Sequence, residues 1–123
     1  AHDGYAQAGI TPADIGVFEY HDAFSIMAAL SLESAGFCEP GQAPELANEG
    51  LLRFDGQIPV ATFGGLKARG HPVGATGIYQ LVELTIQLSG LAGETQVLRP
   101  HYGMAQNIGG SGSNITTHIL ARE

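Results

Sequence analysis

Apolar and polar residues along the chain fall into blocks that switch between the helical and the extended period. Tyr5, Ala6 and Ala8 belong to a short helix that Gly9 is suited to close, and Thr11-Pro12-Ala13-Asp14 reads as a turn. Ile15, Val17, Phe18 and Tyr20 then mark a strand. Asp22 stands in the N-cap position ahead of Phe24, Met27, Ala28, Leu30, Leu32 and Ala35, which predicts a helix ending at Gly36. That helix is apolar nearly all round, the pattern of one packed on both sides. Residues 37–56 are rich in Pro, Gly, Glu and Asn and predict a surface excursion with one short helix near Pro44–Glu49. Ile58–Thr62 reads as a short extended segment, which Pro59 confines to an edge or irregular position. A glycine-dense stretch, Gly64–Gly77, leads into a second apolar helix through Ile78, Leu81, Val82, Leu84, Ile86 and Leu88, closed by Gly90 and Gly93. Two strands follow near 102–108 and 114–120, joined by Gly109-Gly110-Ser111-Gly112-Ser113. This order predicts an α/β domain over residues 1–123, a mixed sheet with helices packed against it.

Composition narrows the class. Of 123 residues, 5 are Lys or Arg and 12 are Asp or Glu, a net charge of −7. Such a chain has no basic footprint for nucleic acid. Hydrophobic residues are 44% and charged residues 14%, ample apolar surface for a folded core. Cys38 is the single cysteine, which excludes an intrachain disulfide. No apolar run reaches the ~18–20 residues that span a bilayer, and Ala1-His2-Asp3-Gly4 has no signal-peptide character. A soluble, cytoplasmic domain is the expectation.

Three segments carry candidate chemistry. His21-Asp22-Ala23-Phe24 lies where a strand's C-terminal end meets a helix start, the edge at which ligands gather in layered α/β folds. His21 could donate a hydrogen bond to a developing oxyanion there. Taken alone, the segment is more simply a capping Asp22 beside a turn histidine. In Gly64-Gly65-Leu66-Lys67-Ala68-Arg69-Gly70-His71-Pro72-Val73-Gly74-Ala75-Thr76-Gly77, Pro72 suits the first helical position. His71 would then be the N-cap residue, available as a base. The order of Lys67 and the glycines matches neither a P-loop nor a dinucleotide fingerprint. Asn107-Ile108-Gly109-Gly110-Ser111-Gly112 alone needs no more than a hairpin's demand for positive φ. His2, His101 and His118 share no metal-ligand spacing with one another or with Cys38, so no metal site is assigned. Arg53, Arg69 and Arg99 read as isolated, solvated cations.

Together the three segments, with Gly36-Phe37-Cys38-Glu39-Pro40-Gly41, resemble the C-terminal half of the thiolases over nearly the whole chain. The nearest branch is that of sterol carrier protein X thiolase and the archaeal acetoacetyl-CoA thiolases. The resemblance implies a five-stranded mixed sheet layered between helices, incomplete at its N-terminal edge. It implies acyl exchange on coenzyme A by Claisen condensation or its reverse, with the CoA thioester as substrate and no resident cofactor. His71 would activate a nucleophilic cysteine supplied by an N-terminal half, and His21 would help to form an oxyanion hole. Asn107, Gly109 and Gly110 would line the site, and Gly64, Gly65, Gly70 and Gly74 would form a CoA or substrate loop. Two departures stand out: the nucleophile-bearing half is not in this chain, and the places that hold the second cysteine in relatives carry Asn107 and Ala23. The implied partners are that N-terminal half, further copies in a homo-oligomer and, in retro-aldolase relatives that cleave steroid side chains, an OB-fold subunit. A thiolase part, a retro-aldolase subunit and a non-catalytic acyl-CoA-binding module all remain open at this point.

Overall fold

Parallel strands cannot be joined by a tight turn, so the chain between them must cross over. In the computed structural model, which describes residues 1–123, that crossover forms most of the molecule. Helix α1 (His2–Ala8) closes on Gly9 in the left-handed conformation and leads through the 3₁₀ turn Pro12–Asp14 into β1 (Ile15–Glu19). Four helices follow: α2 (Ser25–Ser34), α3 (Ala43–Asn48), α4 (Gly65–Arg69) and α5 (Thr76–Leu88). Strand β2 (Tyr102–Gly109) then pairs parallel with β1, and β3 (Asn114–Ala121) returns antiparallel beside it. The sheet has three strands in the order β1-β2-β3. Ile58–Thr62 adds only an isolated parallel bridge, Val60 to Phe18, because Pro59 lacks an N–H and Ala61 turns to φ 45°.

A bulge at Gly16 decides which strand residues face which layer. The register slips between Ile15 and Val17, and a Cβ at Gly16 would lie 2.9 Å from Pro100 Cβ. Ile15 therefore joins Phe18, Tyr20, Tyr5, Leu32 and Met104 in the larger core cluster. Val17 joins Leu84, Val97 and Ala105 against α5. Phe18 is fully buried, its ring 5.1 Å from that of Tyr20 and 4.9 Å from that of Phe37. Burying such a side chain contributes about 1.5–3 kcal/mol. The Tyr5 hydroxyl donates to the Ala35 carbonyl at 2.8 Å and ties α1 to the end of α2.

Three expectations are corrected here. Helix α2 begins after Phe24, not at Asp22, and packs on one side only: Leu32 is buried, whereas Ile26 and Leu30 are exposed. The 5-residue helix α4 was not expected inside the glycine-dense stretch, where Gly64 (φ 97°) and Gly65 (φ 59°) start it in a conformation closed to most side chains. Helix α5 starts at Thr76 with Ala75 as its cap, so Pro72 and His71 precede the helix in a turn. That turn is closed by the N–H groups of Ala75 and Thr76 on the Pro72 carbonyl. The buried stripe of α5 is largely polar, with Thr76, Gln80, Glu83 and Gln87 beside Leu84 and Leu88, while Ile78 and Val82 are exposed. The hairpin agrees with the sequence: Asn107 faces Thr116 and Gly109 faces Asn114 across the turn Gly110–Gly112. No helix is long and apolar enough to cross a membrane.

Candidate active site

The C-terminal end of β1 delivers His21, the turn before α5 delivers His71, and the far end of β2 delivers Asn107. These side chains, with Gly109, Gly110, Phe24 and Met27, line a cleft of about 590 Å³. The imidazole rings of His21 and His71 stand perpendicular, with centroids 4.9 Å apart. Residues 36 to 86 positions apart thus converge because β1 and β2 are neighbours and α5 packs across both.

Each histidine is held through Nδ1. His21 Nδ1 lies 2.9 Å from Asn107 Oδ1. An amide oxygen only accepts, so Nδ1 carries the hydrogen and a neutral His21 keeps its lone pair on Nε2. His71 Nδ1 lies 2.6 Å from Thr76 Oγ1, and that hydroxyl donates to the Pro72 carbonyl at 3.2 Å. With its one hydrogen committed, the hydroxyl accepts from His71 Nδ1–H and leaves Nε2 as the basic nitrogen. Thr76 is fully buried, and His71 is exposed. The result is a pair of imidazoles each hydrogen-bonded at Nδ1, with no hydrogen bond at Nε2.

Asp22 caps α4 and not the helix that follows it in sequence. Its Oδ1 accepts the Leu66 N–H at 2.7 Å, and a Cβ at Gly65 would lie 2.4 Å from Oδ2. Of the glycines expected to form a substrate loop, none lines the cleft. Gly64 and Gly65 start α4, Gly70 (φ 104°) ends it, and Gly74 borders an adjoining cavity shared with Asn107, Gln80 and His118. Ala23 lines the cleft and carries no proton-transfer group.

Arg69 corrects another expectation: it is not a solvated cation. Its Nε lies 2.5 Å from Glu83 Oε1 with both side chains largely buried, and its guanidinium carbon sits 4.9 Å from the Tyr79 ring centroid. Arg53 is exposed in a 3.1 Å pair with Asp55. Glu19, Thr76, Glu83 and the capping of α4, rather than of α2, by Asp22 are not singled out by the sequence. Thr76 alone stands in a quoted motif, next to last in the glycine-rich string.

The family described as thiolase C-terminal domain-like matches residues 1–122. An acetyl-CoA acetyltransferase of Methanothermobacter thermautotrophicus is 48% identical over 99% of this chain and 32% of its own length. Human sterol carrier protein 2 is 40% identical over 92% of this chain and 21% of its own length. A solved structure titled Ltp2-ChsH2(DUF35) aldolase superposes with a TM-score of 0.84 at 28% identity, over 98% of this chain and 30% of that one. The chain spans about a third of the archaeal relative's length.

Proposed function

The chain belongs to the thiolase C-terminal domain-like family, and from that premise we propose that it is the C-terminal part of a thiolase-type acyl-CoA acyltransferase. The observation that carries this reading is the facing pair His21 and His71, each tied through Nδ1 and free at Nε2. The nucleophilic cysteine comes from the remaining part of the thiolase. His71 Nε2 takes the thiol proton, the thiolate attacks the thioester carbonyl, and the C–S bond to coenzyme A breaks. The departing CoA thiolate leaves as the thiol when the proton returns from His71. While protonated, His71 presents Nε2–H to the carbonyl oxygen as charge develops on it. His21 donates from Nε2 once the Asn107 amide turns to place Nδ2–H on Nδ1, or once the ring itself is protonated. Gly109 and Gly110 keep this end of the cleft open to the acyl group.

The second half-reaction requires a group that moves the α-carbon proton. Neither Asn107 nor Ala23 has an exchangeable acid or base group, so the histidines are the groups of this chain able to do so. This favours a second reading, a thiolase-like retro-aldolase subunit working with a partner chain, and the aldolase relative supports it.

The deciding experiment uses the full polypeptide with its nucleophilic cysteine and acetyl-CoA. Acyl transfer predicts a covalent acyl-cysteine by intact mass, lost in His71→Ala. Retro-aldol cleavage of a 3-hydroxyacyl-CoA without any acyl-enzyme would overturn the first reading in favour of the second.

A further inference from the structure

We infer that Glu19, Glu83 and Arg69 form a single buried charge cluster, holding one proton shared between the two carboxyls, that positions both histidines of the proposed site. The inference begins with burial. Glu19 is fully buried and Glu83 is 5% exposed, at the centre of the molecule between β1 and α5. A buried carboxylate loses its hydration, a second loses as much again, and one guanidinium cannot offset both.

The hydrogen bonding shows where the missing compensation must come from. Glu19 Oε1 accepts from the Thr62 N–H at 3.0 Å and the Thr62 hydroxyl at 3.4 Å. Glu83 Oε1 faces Arg69. The other oxygen of each carboxyl, Oε2, is buried without a hydrogen-bond partner, and the Arg69 Nε–H and Nη2–H groups beside them are not aligned to donate to it. The carboxyls neighbour each other, and a proton on Glu19 gives Glu83 the donor it lacks. The cluster then holds a neutral Glu19, an anionic Glu83 and a cationic Arg69, with no net charge buried. Loss of hydration, with the charge of Glu83, pushes Glu19 up to about 8. Loss of hydration also raises Glu83, with Arg69 opposing it. Asp22 adds its negative charge from beyond Glu83, Tyr79 lies against Arg69, and Gln87 holds Thr62 through a 2.9 Å hydrogen bond to its hydroxyl.

The placement gives the cluster its role. Glu19 is the last residue of β1, two positions before His21, and Arg69 is the last residue of α4, two positions before His71. Glu83 on α5 links them, and Asp22 fixes the opposite end of α4. These are positioning residues, set behind the cleft and absent from its lining. Removing the shared proton leaves two facing anions that separate β1 from α5, and the histidines move with those elements.

The sign of the pH effect follows from the raised Glu19. The folded state holds this proton more tightly than the unfolded chain, whose carboxyl has the ordinary value of 4.5. Its stabilisation is complete below that value and is lost as pH rises through about 8.

The test uses the full polypeptide with ¹³C-labelled Glu and ¹⁵N-labelled His, and a thermal-melt series from pH 5 to pH 9. In the parent, one glutamate carboxyl should titrate above pH 7, both histidine rings should shift with the same midpoint, and Tm should fall over that interval. Glu19→Gln keeps an acceptor for Thr62 and places a fixed donor on Glu83, so it should abolish the shared inflection and the fall in Tm. A purely structural role for Glu19 would leave the histidine signals without that inflection. The inference is overturned if no parent glutamate titrates above pH 7, a measurement that needs no variant. It is also overturned if Glu19→Gln leaves the histidine inflection in place. These readouts require no turnover, so failure of the acyl-transfer reading would leave them standing, and their failure would leave that reading standing.

Discussion

The imidazole of His21 and the amide of Asn107, 86 residues apart in sequence, meet at 2.9 Å between Nδ1 and Oδ1. Asn107 occupies the position where the family resemblance leads one to look for a cysteine. In this chain it is instead the group that sets the tautomer of the neighbouring histidine. Gly77 leaves room for its other end, since a Cβ there would lie 3.1 Å from Asn107 Nδ2.

Replacing Asn107 should separate its two consequences. Asn107→Ala should remove the preference of His21 for hydrogen at Nδ1, seen in histidine ¹⁵N shifts; unchanged shifts would mean that another group sets the tautomer. Asn107→Cys should raise condensation of acetyl-CoA relative to the parent and leave acylation of the cysteine unchanged. A parent that already condenses at full rate, with no gain from the substitution, would show that a group other than residue 107 handles the α-carbon proton.

Thr76 orients His71 from a fully buried position. Thr76→Val should slow cysteine acylation with little change in KM, by less than the ~10²–10⁴-fold that a general base contributes altogether. Thr76→Ser should restore most of the rate. Equal rates in Thr76→Val and the parent would remove the threonine from the account of His71.

Gly65 and Gly70 bracket α4, and both have positive φ, but only Gly65 faces a close neighbour. Gly65→Ala adds a 2.4 Å approach to Asp22 Oδ2 to its backbone strain, whereas a Cβ at Gly70 meets nothing within 4 Å. Strain alone is worth about 1–3 kcal/mol at such positions. Urea unfolding should therefore show Gly65→Ala as the more destabilising of the two. Equal losses would mean that the Asp22 contact costs no more than the extra strain of an alanine at Gly70, whose φ 104° and ψ 169° suit glycine alone.

Two apolar residues of α5 face outward, Ile78 at 62% exposure and Val82 at 48%, and those of α2 do so at Ile26 and Leu30. Exposed apolar area of this kind drives association. Sedimentation of the 123-residue chain should show concentration-dependent oligomers, reduced in Ile78→Glu with Val82→Glu at unchanged helix content. A monomer at every concentration would count against this face as a contact surface.

Much of the fold was written locally. Gly9 and the β-branched and aromatic run from Ile15 marked where α1 ends and β1 begins, and the Gly110–Gly112 turn marked the hairpin. Pro59 limited residues 58–62 to a single bridge, as an imide without an N–H must. His21, His71 and Asn107 were legible through the resemblance of their segments, and each lines the cleft.

Which polar groups would be buried, and on what partners, was decided only by the tertiary structure. Asp22 stands before α2 in sequence but caps α4, because the cap belongs to whichever free N–H the fold brings to it. Arg69 read as solvated until α5 supplied Glu83. Gln80 and Gln87 lie inside because the Gln106 carbonyl and the Thr62 hydroxyl accept their amide hydrogens from more than twenty residues away. Hydrophobic periodicity records the free energy of removing apolar surface from water, and it predicts which positions can be covered. It holds no record of a hydrogen bond or ion pair whose other half lies on a different element, and those bonds let Gln80, Glu83 and Gln87 of α5 lie inside beside Leu84 and Leu88 while Ile78 and Val82 stay exposed.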